Sequence, residues 1–248
     1  MSGRRAAAAR RTAAVTVALF VCAGVGAATA RADDNGLADK SAQAIADASR
    51  RAMSELTAMR VVATVDDAAG TTALDLRFDD GGTCVGAVTP PGDAGTAEII
   101  KRGKDVWVKL DDDLLRSQVP GAAAEDAIAL INGRYVHGTT SSLLLREFAE
   151  FCDLDHFKEE FSSTPAAEQL DKGARTTVDG RPAITVSSRA DDTSGTFEVS
   201  TEDEPYLLRL RGTEADGERV QASFSAFDEP VVATPPAPAD SVDLSRLQ

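Results

Sequence analysis

The chain has 248 residues, with 40 acidic against 26 basic side chains and a formal net charge of −14. That balance argues against nucleic acid as a partner, because phosphate binding needs clustered cations, and against broad adhesion to an anionic membrane surface. Aromatic content is 5%, low for a chain that binds sugars or stacked bases, and the acidity reads most simply as a solubility feature.

The N-terminus has the three parts of a secretory signal. Arg4, Arg5, Arg10 and Arg11 form a cationic head, and residues 13–28 form an uncharged stretch rich in Ala and Gly. That stretch is about 16 residues, short of the roughly 20 a membrane span needs. Ala30-Arg31-Ala32 then offers an A-x-A site, so cleavage is expected between Ala32 and Asp33. A competing reading takes residues 19–22 as a lipobox with Cys22 as the lipidated residue, although the small residue required before it is replaced by Val21. Loss of the leader removes five arginines and no acid, leaving 21 basic against 40 acidic residues and a net charge of −19. It also leaves two cysteines, Cys84 and Cys152. An even pair in an exported chain reads as a disulfide, with buried free thiols as the alternative. The two cysteines and the distant His137 and His156 show no metal-ligand spacing, and no cofactor is expected.

Residues 37–59 read as one amphipathic helix, with Leu37, Ile45, Ala48, Ala52, Leu56 and Met59 on a single stripe. Strands follow at 61–65 and about 71–78, where Leu74, Leu76 and Phe78 alternate with Asp75 and Arg77. Residues 79–82 form a turn signal, 84–89 a third strand ended by Pro90-Pro91-Gly92, and 97–102 and 106–110 a hairpin. Five strands joined by short turns make an antiparallel meander, since each pairing closes a short loop.

The section at about 111–161 is helical at 112–118, 125–131 and 143–161, with a break at Cys152-Asp153 and an extended piece at 134–138. Asp111-Asp112-Asp113 reads as a helix start rather than a cation loop, acids being favoured at the positive end of the dipole. Five further strands are expected at 174–178, 182–188, 195–200, 206–212 and 220–227, followed by a Pro-rich tail from Val232 that should be extended and irregular. No repeated motif links the two runs of strands. The fold class that results is α+β, with one large curved antiparallel sheet of about 10 or 11 strands, bent by strand twist, and helices over its concave face. The apolar positions expected to face an acyl ligand there are Val61, Leu74, Leu76, Phe78, Ile100, Val106, Val108, Leu208 and Leu210. Neither His137 nor His156 has a Ser or Cys nucleophile in a recognisable elbow, and no catalytic residue is assigned. Trp107 lies opposite the apolar face of its strand, and Phe224 and Phe227 read as core.

Several segments together resemble the LolA/LppX-like superfamily of extracytoplasmic lipid and lipoprotein carriers, in its actinobacterial secreted or lipoprotein branch. They are Met59-Arg60-Val61, Gly82-Thr83-Cys84-Val85-Gly86, the strand–turn–strand at 98–109, Gly133-Arg134-Tyr135-Val136, Phe151-Cys152-Asp153-Leu154-Asp155, 204–210 and Phe224-Ser225-Ala226-Phe227. The resemblance covers most of residues 37–235 and departs from the pattern in lacking a clean lipobox. It implies a half-open β-barrel with helices over its concave side and an acyl-bearing ligand between them. The expected plan is a signal peptide at 1–32, one half-barrel domain at 33–235 with the helical insert, and a tail at 236–248. The expected function is that of an exported, non-enzymatic, monomeric binder of a lipid or lipoprotein at the cell envelope. The alternative is a sensor or protein-interaction module of the same fold with an envelope protein partner and no lipid cargo.

Overall fold

The computed structural model describes residues 34–92, 95–119, 121–163, 169–190 and 192–244; the leader with Cys22, Ala32 and Asp33, and the last four residues, lie outside them. Twelve strands form one sheet in the order β12-β6-β5-β4-β3-β2-β1-β11-β10-β9-β8-β7. The first run is β1 (Ala58–Asp67), β2 (Gly70–Asp79), β3 (Thr83–Thr89), β4 (Ala97–Arg102), β5 (Asp105–Leu110) and β6 (Tyr135–Thr139). The second run is β7 (Gln169–Val178), β8 (Arg181–Ala190), β9 (Thr193–Ser200), β10 (Leu207–Thr213) and β11 (Arg219–Ser225). The two meanders join where β1 pairs antiparallel with β11, from Arg60 opposite Ser225 to Asp66 opposite Arg219. The sheet does not close, because β12 and β7 stand at opposite ends of the order.

Five α-helices among the described residues cover one face: α1 (Ala42–Ser54), α2 (Asp112–Gln118), α3 (Ala122–Ile131), α4 (Leu143–Glu150) and α5 (Leu154–Ser163). The Ser41 side chain caps α1 by accepting from the Ala44 N–H at 3.2 Å, which satisfies one of the orphan donors of the first turn. Asp111 does the same for α2 through the Leu114 N–H at 2.8 Å, and the acids that follow sit at the favourable end of its dipole. Because β6 and β7 lie near opposite ends of the sheet, the chain between them must traverse it. Helices α4 and α5 lie on that path.

Three apolar clusters hold these helices down. Met53 of α1 and Leu56 just after it, with Leu154 of α5, pack on Val61, Leu76, Phe78 and Ile99. Leu114, Leu115, Ile131 and Leu145 from α2 to α4 pack on Val106, Val108 and Val136. Leu37 and Ile45 pack on Ile184, Val186 and Val199. A disulfide joins Cys84 at the start of β3 to Cys152 between α4 and α5, with Cα atoms 5.6 Å apart, within the span such bonds require. Gly86 in β3 is the strand position that no other residue could fill. Its φ is +152°, and an added Cβ would stand 2.0 Å from the Asp75 carbonyl oxygen.

Two expected elements differ. The helix expected at 37–59 is shorter: Leu37–Asp39 is a single 3-10 turn, and α1 stops at Ser54. Leu56 and Met59 continue the apolar stripe without continuing the helix. The Asp228 carboxylate takes both the Thr57 N–H at 2.7 Å and its hydroxyl at 2.8 Å, turning the chain into β1. The tail is not irregular to its end. After a 3-10 turn at Pro238–Asp240, β12 (Ser241–Asp243) pairs parallel with β6, Ser241 opposite Tyr135.

Candidate functional site

Side chains alternate along each strand, and register sorts the sheet into a helix-facing side and an outer side. On the helix side, successive rows run across the strands. One row holds Val61, Leu76, Ile99, Val108 and Phe224, all buried. The next runs from Leu74 through Ala63 and Ala222 to Leu210 and Phe197. Here the cover thins: Leu74, Leu210 and Phe197 are only half-buried. The row beyond is Val65, Val220, Gly212 and Gly195, none of them buried. Gly212 and Gly195 are cross-strand partners, so two adjacent strands present no side chain at that end of the trough. A Cβ on Gly212 would meet only the Ser194 carbonyl oxygen at 3.7 Å. The arrangement is an apolar trough, tightly filled by α1 and α5 at one end and shallowly covered at the other. Among the described residues no group of three or more His, Cys, Asp and Glu could hold a metal ion.

The nine apolar positions expected at the site do not all share this face. Val61, Leu74, Leu76 and Phe78 line it, Val106 and Val108 lie beneath α2 to α4, and Leu210 borders the thin cover. Ile100 pairs with Trp107 on the outer side, and its neighbour Ile99 takes the helix side opposite Val108. Leu208 also leaves the helix side. A bulge between Leu207 and Arg209 shifts the register, so Leu207 joins the helix-side cluster while Leu208 packs with Val178, Ala183 and Phe227. Sequence reasoning missed Phe197, Gly195 and Gly212. The alternation Gly195, Phe197, Val199 carried the signal, but which phase faced the helices depended on pairing with β10.

The outer side is polar and ordered by ion pairs. Trp107 stacks on His137 with ring centroids 4.7 Å apart and planes 12° from parallel, and His137 reaches Asp105 of β5 at 3.3 Å and Asp243 of β12 at 3.9 Å. Burial, followed by the 2.7 Å hydrogen bond it donates to Glu98, pushes the Tyr135 hydroxyl up to about 12. At the other half of the sheet Glu198 is held between Arg211 at 3.2 Å and Arg209 at 3.8 Å.

No family model matches the chain, and no curated protein matches it in sequence. Among solved structures, LprF from Mycobacterium bovis superposes with a TM-score of 0.54 at 18% identity, over 79% of this chain and 97% of LprF. The Mycobacterium tuberculosis lipoprotein LppX gives 0.49 at 16% identity, over 82% and 100% of the two chains. A LolA superfamily protein from Nitrosomonas europaea gives 0.28 at 11% identity, over 78% and 95%. At these identities the likeness bears on architecture alone, and the LprF superposition carries it. The chain shares the fold of LprF, an open curved sheet with its helices on one face.

Proposed function

We propose that this chain is an exported, non-enzymatic binder or carrier of a lipid or lipidated ligand, whose acyl portion lies in the shallow end of the trough. One observation supports this most directly: the helix-side row Leu74, Leu210 and Phe197 is apolar yet only half-covered, next to the bare backbone of Gly212 and to Gly195, which faces the Ser188 hydroxyl. Apolar concavities with few polar groups suit such ligands, and burying an acyl chain releases about 0.8 kcal/mol per methylene. The deeper positions Val61, Leu76, Phe78, Val106 and Val108 are already enclosed, so a long chain would reach them only by displacing helices. Export through the 1–32 leader belongs to the same reading, which the absence of any long apolar helix among the described residues leaves intact. Delipidated protein should take up a fluorescent fatty acid saturably, at one equivalent per chain. Absence of saturable uptake would refute the carrier reading.

A second reading, docking of an envelope protein, draws on α4. Leu143 and Leu144 there are 77% and 71% exposed, a large apolar pair to leave in water. Retention of a defined envelope partner by the wild-type chain and its loss in L143S/L144S, with fatty-acid uptake absent in both, would favour it.

A further inference from the structure

The outer side of the second meander carries a groove whose lining side chains point away from the trough. It spans β8 to β11, has a volume of about 500 Å³, and is lined by Arg189, Arg211 and Arg219 together with Ser194, Thr196, Thr213 and Gln221. A smaller groove of about 200 Å³ lies beside it across β10, β11 and β1, sharing Arg211 and Gln221 and adding Arg209. In a chain where acids outnumber bases 40 to 26, neither groove is lined by a single carboxylate.

Register explains the clustering. Arg189, Ser194, Thr213 and Arg219 lie in one cross-strand row, and Ser187, Thr196, Arg211 and Gln221 in the next. Strands about 4.8 Å apart set Arg189 and Arg219 roughly 14 Å from each other across three spacings, with hydroxyls between them. Arg211 is partly committed to Glu198 at 3.2 Å and Arg219 loosely to Asp66 at 3.9 Å. Arg189 has no ion-pair partner among the described residues, and the Ser194, Thr196, Thr213 and Gln221 side chains make no hydrogen bond there. Further acids, Asp192 in the β8–β9 turn and Glu214 and Glu218 in the β10–β11 turn, sit beyond the row.

We propose that this groove binds a phosphate ester of a small polyol. Guanidinium forks match phosphate oxygens and give charge-assisted hydrogen bonds, while the free hydroxyls and the Gln221 amide suit the hydroxyls of the ester. No aromatic side chain lines the groove, so recognition starts from the phosphate rather than from ring stacking. A long polyanion is disfavoured by the net charge of −14, which repels whatever extends past the groove.

The groove and the trough share the backbone of Gly195, Gly212 and Val220 from opposite faces of the sheet, so the test of the groove uses side chains that point away from the trough. In calorimetric titration at about 50 mM salt, glucose 6-phosphate should bind saturably and glucose should not. R189Q/R219Q should weaken the phosphate ester about tenfold, the loss of one to two charged contacts. R60Q, on the same face but engaged by Asp75 at 2.6 Å, should leave binding unchanged. Co-sedimentation with phosphatidylglycerol vesicles but not phosphatidylcholine vesicles would identify a lipid headgroup as the source. Binding of glucose 6-phosphate alone would identify a soluble ester. Failure of both probes, equal binding of glucose, or full binding by R189Q/R219Q would overturn the proposal.

Discussion

Two side-chain contacts have measurable consequences of their own. The chain contains a single tryptophan, and it stacks on His137. A stacked ring shields the indole face from water, so H137A should shift tryptophan emission while H156A leaves it unchanged; an emission spectrum unaltered in H137A would show that Trp107 does not report this contact. The second contact is at Asp228. Burial opposes its ionisation, but the Thr57 N–H, the Tyr206 hydroxyl and the Thr57 hydroxyl together hold its carboxyl below the usual range. A depressed folded-state value means that the stabilisation is present above the unfolded value of 3.8 and is lost as pH falls through the lower folded one. D228A should cost roughly 1 kcal/mol at neutral pH, discounted for its exposure. The difference in melting temperature from wild type should shrink in acid. A gap that persists undiminished at the lowest pH that still supports folding would rule out the charge as its source.

Among the elements, the α4–α5 pair depends most on a single bond. Helices of 8 and 10 residues are too short to persist alone in water, so tertiary packing and the Cys84–Cys152 bridge hold them. The bridge closes a separation of 68 residues, worth about 4 kcal/mol in the chain-entropy model, with engineered and native cases usually nearer 2 to 4. C84A/C152A should lower unfolding stability by about that amount in a denaturant titration, and hydrogen exchange should rise in α4 and α5 before the β1–β11 seam. A change confined to the sheet would contradict this reading of the bridge. Element-level reading of the sequence was accurate where local chemistry decides. Asp111 caps a helix, and the break at Cys152-Asp153 separates α4 from α5. It failed just past α1, where Asp228, 171 residues from Thr57, binds it and turns the chain into β1.

Across the molecule, the meander and its open curvature were legible because apolar alternation and short turns recur along both runs. The seam between β1 and β11 was not, since nothing local indicates which distant strand completes the pairing. Faces were lost for the same reason. Ile99-Ile100 offers two equivalent phases, and the bulge at Leu208 overturns an alternation that is sound within its own strand. The trough's shallow end depends on the overlap of α1 and α5 with rows from both meanders, and two glycines on neighbouring strands give no apolar signal at all. That geometry supplies the variant that tests the lipid reading. G212L should fill the bare end, because its backbone tolerates a side chain and only one atom lies within 4 Å of the added Cβ. Fatty-acid uptake should fall at least tenfold with the melting temperature held within a few degrees. Undiminished uptake would move the ligand elsewhere.

A sheet that never meets itself leaves two margins of unpaired backbone, each a template for a foreign strand. One margin, β7, is blunted by a register irregularity between Lys172 and Arg175. The same two side chains are drawn inward, to the carbonyls of Ala38 and Lys40 and to Asp34. The other margin, β6, is covered among the described residues by the three residues of β12. Trimming the chain before Ser241 would uncover Tyr135 to His137, and the carboxyl-terminal strand thereby acts as the guard against strand exchange between copies.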